Sequence, residues 1–578
     1  MKKKIQSLFE RKFLKRFYLL IAIATLIPIF EIFSVTLILP LLKIFLDNNF
    51  NSDYPIISNF LEKISYILFS ESNFSNLIII AVLFYIFIYL IRCLVVFIIQ
   101  SSIISFALRC ETYLKKKFFL KYLKLKYLSK IKKPYSFYYS MFTTQIEFFS
   151  GNIRSLLNLF VETITVLFIS IFLLIYDIST TLKILLIFGF IFLFFNFFLN
   201  KFIKKLSILR NKKIELIFKN FSIILKFFKE FELFNKEKFY TNKLERDLEE
   251  YENINFKRQS IALLPRQIFE FTTITVIFIF LIINLKNQDS FNLILINLGI
   301  YVFVMLKIIP SLSKIMNALQ DLKFSSKTLE EIYGFQTFFE NNLKNDTLVQ
   351  SDILNKKFDF NSLIKISNVN LKFYGKSIIE NSEISFVKNK FTAIIGSSGS
   401  GKTSLLDLIM GFISQNNAKF AVDEKEINFT NDNWRKMISY VPQEIPIFKG
   451  TIAQNISLID ENFNLDKIND AINFSNLNDF VSSKNNGVNF LVEDDGKNIS
   501  GGQKQRIGIA RALYFQPKII FFDEFTSSLD SETEDKILNT LKSLKRYYTI
   551  VFVTHNKKIS DYCDNIFEIN KKKIIKIK

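Results

Sequence analysis

Gly396-Ser397-Ser398-Gly399-Ser400-Gly401-Lys402-Thr403 is the stretch whose reading decides the fold. Before it, Phe391-Thr392-Ala393-Ile394-Ile395 is an apolar run of strand type. After it, Ser404-Leu405-Leu406-Asp407-Leu408-Ile409-Met410 has the composition of a helix. A glycine-rich turn between strand and helix lets backbone N–H groups wrap phosphate oxygens, with the helix N-terminus aimed at the same charge. Lys402 is placed to reach the β- and γ-phosphates, and the Thr403 hydroxyl to hold Mg2+. The spacing predicts a nucleoside triphosphate site in an α/β domain.

Four further pieces follow in order. Tyr440-Val441-Pro442-Gln443 closes an apolar run with a carboxamide. Ile499-Ser500-Gly501-Gly502-Gln503 precedes Lys504-Gln505-Arg506 and opens a helix that offers backbone N–H groups. Ile519-Ile520-Phe521-Phe522 is a strand that ends in paired carboxylates, Asp523 and Glu524, with Asp530 close behind. Val551-Phe552-Val553-Thr554 is another strand, and it ends at His555, the 1 histidine of the chain.

The chain is long enough for several domains at 578 residues, and 50% of them are hydrophobic, with mean hydropathy +0.24. A net charge of +22 could suggest nucleic acid, but the basic residues crowd beside apolar runs, as in loops facing a cytoplasmic membrane surface. Cys93, Cys110 and Cys563 have no paired or metal-ligand spacing, so neither a disulfide framework nor a zinc site is expected.

Crossing a bilayer takes about 20 apolar residues in a helix. Stretches 17–46, 77–108, 155–176, 180–200, 261–285 and 291–312 meet that requirement, so a membrane α-helical domain is expected over 1–320. The N-terminus, 109–133 and 201–258 are rich in Lys and Arg, whereas the alternate loops are short or mildly acidic. That bias places both termini in the cytoplasm, together with the long basic loops, in a multi-pass membrane protein. The loops 109–131 and 201–258 read as helical extensions of the spans, with Pro134–Tyr139 and Ile217–Phe221 at their turns. Residues 56–68 have the spacing of an amphipathic helix on the outer surface. Residues 321–364 read as a linker, and 365–578 as the α/β domain.

In this order, over roughly 210 residues, these motifs resemble the ATPase domain of ABC transporters, and the spans before it resemble the exporter type with fused membrane and ATPase domains. The resemblance implies ATP and Mg2+ as cofactors. It implies Gly396 through Ser404 as phosphate loop, Asp523 and Gln443 with Thr403 at the metal, Glu524 as general base, and His555 at the γ-phosphate. Gln443 would also report nucleotide state to the membrane half. Phe373 or Tyr374 would stack on adenine, and the register does not choose between them. Ser500, Gly501, Gly502 and Gln503 would contact the nucleotide held by the opposite subunit, and Asp530 would belong to the nucleotide site. One copy of each motif then implies a homodimer. Ile499, Ser528 and Asn556 depart from the usual pattern without removing a catalytic group. Glu493-Asp494-Asp495-Gly496 resembles the acidic segment through which exporters contact their cytoplasmic loops.

Ionisable residues inside spans need a partner or water. Arg92, Arg266 with Glu270, Lys307, Lys314, Glu31 and Glu162 are such residues. They can pair among themselves, as Arg266 with Glu270, or Arg92, Arg266 and Lys314 can line a cationic cavity. The second arrangement, with the context of these residues, resembles bacterial flippases of lipid-linked oligosaccharides. It predicts an anionic, lipid-linked cargo taken from membrane lipid and no nucleic-acid partner. The alternatives are an exporter of drugs, lipids or peptides, and a membrane-anchored ATPase regulator.

Overall fold

A chain inside a bilayer must satisfy its backbone N–H and C=O groups internally, and for apolar runs poor in glycine the helix does so. The computed structural model describes residues 7–38, 40, 59, 63, 74–286, 291–350, 359–373, 376–413, 418–427, 432–459, 461–525 and 531–578. They fall into two units, Met1–Leu125 with Ile131–Leu343, and Lys126–Lys130 with Lys344–Lys578.

Among its described residues the first unit holds helices and turns and no strand. Among the described residues, 6 helical stretches are long and apolar enough to span: Arg11–Thr36, Ile78–Lys124, Tyr135–Tyr176, Ile178–Lys226, Glu237–Ile279 and Asn297–Phe324. Several run far past a bilayer. Phe74–Lys124 has 51 residues and Ile178–Lys226 has 49. At about 1.5 Å per residue each is about 75 Å long, against an apolar core of about 30 Å. The extensions are the basic segments, as their composition requires.

Local chemistry sets the ends. Asp177 caps Ile178–Lys226 by accepting from the backbone N–H of Ser179 at 3.0 Å and Thr180 at 3.3 Å. Pro28 sits in the first turn of Leu26–Thr36, where its missing N–H would have no helical partner. Pro134 is the N-cap of Tyr135–Ser140, at the expected turn. Ile217–Phe221 is not at a turn. It lies within Ile178–Lys226, and the chain reverses at 227–236, where Phe227 leaves helical dihedrals and Asn235 takes φ 52. Asn235 tolerates that conformation better than the phenylalanines upstream.

Inside the unit, Ile103, Leu114, Phe118, Phe149, Ile332 and Phe339 form one buried cluster, and Val35, Ile169, Phe269, Ile300 and Val304 another. Leu329, Ile332, Phe335 and Phe339 come from the helix Ser326–Gln350, so the first part of the expected linker is core of this unit. Large apolar side chains also face outward, Phe197 at 84% and Ile175 at 82% exposure, which is tolerable only against lipid or another apolar surface. The expected amphipathic helix at 56–68 lies outside the described residues, apart from 59 and 63.

Among its described residues the second unit holds two main sheets and a short antiparallel pair, β7 (Gly450–Thr451) with β8 (Leu491–Val492). β1 (Leu363–Phe373), β2 (Lys376–Val387), β4 (Lys419–Val422) and β5 (Lys425–Ile427) form an antiparallel sheet in the order β2-β1-β4-β5. The other runs β12-β11-β3-β10-β9-β6, with β3 Phe391–Gly396, β6 Ile438–Val441, β9 Ile519–Asp523, β10 Thr549–Val553, β11 Asn565–Asn570 and β12 Lys573–Lys576. All its neighbours pair in parallel except β11 with β12. β9 and β10 are buried at every position, as strands covered on both faces must be. Parallel order brings the ends of β3, β6, β9 and β10 to one edge, where ligands bind in sheets of this kind. Lys126–Lys130 belongs to this unit, with Leu128 packed on the core that also carries Tyr440, and the Tyr127 ring 5.5 Å from that of Phe412.

Candidate nucleotide site

Gly401 shows why the loop must be glycine-rich. Its φ of 99 lies in the left-handed region, and a Cβ there would come within 2.3 Å of Ile378 Cγ2. The turn delivers the chain into the helix Lys402–Ile409. The Lys402 side chain folds back over the loop, donating from Nζ to the carbonyls of Gly396 at 2.8 Å and Ser397 at 3.1 Å. Ser400 Oγ is buried with no protein partner. A buried hydroxyl costs free energy unless something bonds it, and a phosphate oxygen is the group this loop geometry admits.

Across from the loop, β9 ends in Asp523, which is 6% exposed. Burial raises its pKa, aided by the neighbouring charge of Glu524, while hydrogen bonds from Tyr440 and Thr403 and the charge of Lys402 act the other way. Asp407, on the loop's own helix, is pushed up to about 6 by burial and by Asp523. Glu524 has φ 44, and its N–H donates to Val553 O at 2.9 Å. That strained turn carries the carboxylate off the strand. Gln443 Nε2 donates to Glu524 Oε2 at 3.2 Å, and His555 Nδ1 lies 3.3 Å from Oε1. The histidine side chain is 71% exposed, so it is no core histidine.

The residues present fit Mg2+. Thr403 and Asp523, already hydrogen-bonded, supply hard oxygens at the loop. Among the described residues no cluster of three His, Cys, Asp or Glu could hold a metal alone. That suits a cation held by one or two protein oxygens together with substrate phosphates.

The structure thus brings together the 396–404 loop, Asp523, Glu524, Gln443 and His555. Ser500 and Gln503 form a capping box, Gln503 N–H to Ser500 Oγ at 3.2 Å and Ser500 N–H to Gln503 Oε1 at 2.9 Å, which starts the helix Gly501–Tyr514. The side chains of Ser500 and Gln503 are therefore spent on the cap, and the free donors there are backbone N–H groups of Gly501 and Gly502. Phe373 ends β1, and Tyr374 and Asp530 lie outside the described residues. In the acidic segment Gly496 is required at φ 62, where a Cβ would meet Lys504 Cε at 2.8 Å. Sequence reasoning passed over Tyr440 and Asp407; the one signal was that Tyr440 sits three residues before Gln443 at a strand end.

In the membrane unit each of the three candidate cargo residues has its own carboxylate partner. Arg92 is paired with Glu31, which also faces Lys307 at 3.3 Å. Lys314 pairs with Glu162 at 2.6 Å, and Arg266 with Glu270 at 2.7 Å, one helical turn away.

Residues 379–527 match the family model described as ABC transporter, and residues 53–306 match that of the ABC transporter transmembrane region. The chain belongs to the ABC transporters. It joins the transmembrane and ATPase domains of that family in one polypeptide, and 379–527 is its ATPase domain. An export ATP-binding/permease protein of Rickettsia typhi is 36% identical over 234 residues, which is 40% of this chain and 39% of that protein. The alpha-hemolysin translocation ATP-binding protein HlyB of Escherichia coli is 32% identical over 220 residues, 38% of this chain and 31% of HlyB. The matched stretch therefore spans about two-fifths or less of these relatives. In fold, the ABC transporter chain is similar to a bacterial Atm1-family ABC exporter solved with ATP bound, at TM-score 0.70 and 15% identity, over 98% of this chain and 94% of that one.

Proposed function

We propose that the chain is an ATP-driven exporter that works as two copies in a bacterial cytoplasmic membrane, with both termini in the cytoplasm. The observation that carries this reading is the Glu524 carboxylate, held between Gln443 at 3.2 Å and His555 at 3.3 Å beside a phosphate loop. Glu524 takes the proton of the attacking water, Gln443 orients that water, and His555 turns its free ring nitrogen to the γ-phosphate. Lys402 exchanges two backbone carbonyls for phosphate oxygens when ATP enters. Thr403 and Asp523, with Gln443, hold Mg2+, which supplies charge neutralisation on the phosphates. Phe373 or Tyr374 stacks on adenine. Gly501 and Gly502, set in place by the Ser500–Gln503 cap, serve the nucleotide of the other copy, so hydrolysis needs two chains, and Asp530 belongs to the nucleotide site.

For the cargo we infer an anionic, lipid-linked head group, of the kind found in lipid-linked oligosaccharides. Its support is a charge imbalance: one carboxylate, Glu31, answers two cations, Arg92 and Lys307, within the spans. A net positive charge at that depth is costly unless an anion or water meets it. Arg92, Arg266 and Lys314 are the cations that would meet the head group, each in exchange for its present carboxylate partner.

The test is flipping of a lipid-linked oligosaccharide by the full chain in vesicles, against Glu524→Gln. ATP-dependent flipping lost in the variant is expected. Turnover stimulated by hydrophobic amphiphiles alone would replace the anionic cargo with an apolar one. Absence of ATP turnover in every lipid would remove the exporter reading.

A further inference from the structure

β6 runs parallel to β9 with Tyr440 opposite Phe521, two residues before Asp523. A tyrosine at that place is long enough to reach along the strand, and its hydroxyl donates to Asp523 Oδ2 at 3.3 Å. The ring is half-buried against the core formed by Ile394, Leu405, Ile519 and Phe521. Asp523 therefore has protein donors on two sides, Thr403 from the phosphate loop and Tyr440 from the strand that leads to Gln443. We propose that Tyr440 is a positioning residue for the metal–nucleotide step, its hydroxyl holding the Asp523 carboxylate in the orientation that meets the cation. This rests on the reading of 379–527 as an ATPase domain and adds a residue to it.

The chemistry suits a fixed donor. An ionised carboxylate only accepts hydrogen bonds, and in a site this dry an unheld one is free to turn toward any cation nearby, Lys402 included. A phenol ordinarily ionises only near pH ~10, so at neutral pH the Tyr440 hydroxyl carries its proton and is a donor. Phenylalanine would keep the ring and its packing while removing the donor, so the hydroxyl can be tested apart from the core.

The experiment uses the full chain in detergent or nanodiscs and reads nucleotide binding without turnover. A fluorescent ATP analogue is titrated with EDTA present, and again across a Mg2+ series, for wild type, Tyr440→Phe and Asp523→Asn. A hydrogen bond to a charged acceptor predicts a rise of about three- to tenfold in half-saturating Mg2+ for Tyr440→Phe. Metal-free binding should be unchanged and saturation recovered at high Mg2+. With Mn2+ in place of Mg2+, electron paramagnetic resonance of the bound complex should differ in line shape between wild type and Tyr440→Phe. Asp523→Asn marks the floor of the metal effect. An unchanged Mg2+ curve and Mn2+ spectrum in Tyr440→Phe would overturn the proposal. So would an equal loss of metal-free binding, which means the ring and not the hydroxyl matters. Wild type that binds no ATP analogue under either condition removes the ATPase reading itself, and the role of Tyr440 with it.

Discussion

In the membrane unit, charges answer one another inside the protein: Glu31 holds Arg92 and Lys307, Glu162 holds Lys314, and Glu270 holds Arg266. In the nucleotide unit, the groups at the sheet edge are left open. Ser400 Oγ is buried without a protein partner, Lys402 rests on two carbonyls, and His555 stands 71% exposed beside Glu524. Both units carry ionisable side chains in places that disfavour charge, and they solve the problem in opposite ways. Lipid offers no counter-charge, so unless a cavity admits water the protein must supply its own. A nucleotide brings its charge with it, so the site stands ready, and the cost is met on binding.

The comparison can be broken most sharply at Glu524. Glu524→Gln should keep ATP binding and lower hydrolysis by about 10²- to 10⁴-fold, measured as phosphate release by the full chain. A loss under tenfold would place the base elsewhere. Glu31→Gln tests the other side. It leaves Arg92 and Lys307 facing each other without a carboxylate, at about 3 to 5 kcal/mol for a buried pair so broken, read as a lowered Tm in one fixed detergent. Adding Lys307→Met removes the repulsion between the two cations but leaves Arg92 without its carboxylate, so only part of that loss should return, and no return at all would mean Arg92 and Lys307 do not sense each other. Gly401→Ala is next, at about 1 to 3 kcal/mol of backbone strain besides the clash with Ile378, with ATP binding lost before the fold is.

The smallest effect belongs to Asp423, whose carboxylate accepts from the backbone N–H of Asn361 at 2.5 Å, Ser362 at 2.7 Å and Leu363 at 2.9 Å. What burial it has raises its pKa, but these bonds and that of the Ser362 hydroxyl outweigh it and hold the carboxyl down to about 2. The stability it gives is fully present above the ordinary carboxylate value and is lost as pH falls through about 2. Asp423→Asn should flatten the acid limb of Tm against pH between about 4 and 2, and an unchanged limb would assign that stability to other carboxylates.

Much of this was legible from the residues. The strand–loop–helix at 391–410, the buried strand ending in Asp523, and the six apolar stretches follow from composition and spacing that act locally. Other features depend on how distant faces meet. Helical spacing alone pairs Arg266 with Glu270, but nothing local tells that Glu31 faces Arg92 and Lys307, or that Lys314 finds Glu162, because those meetings are set by helix rotation. The turn at 227–236 was missed for a related reason. Ile217–Phe221 carries the aromatic residues of a turn tip, yet it continues the helix, which ends only where Phe227 leaves helical dihedrals, and the reversal is completed at Asn235 with its positive φ. Tyr440 reads as a strand residue until the register with β9 shows what lies within its reach.

Lys126–Lys130 clusters with residues that begin at Lys344. During synthesis the five residues emerge first, and their seat does not exist until strands as late as β11 and β12 have been made. At about 5 to 20 residues per second the wait is on the order of tens of seconds. Until then Leu128 lacks the core it packs on, and Tyr127 at first lacks the ring of Phe412. Seating of this short helix is therefore a late step of maturation, and a chain truncated before the last strands should present it to proteases and chaperones that the finished protein escapes.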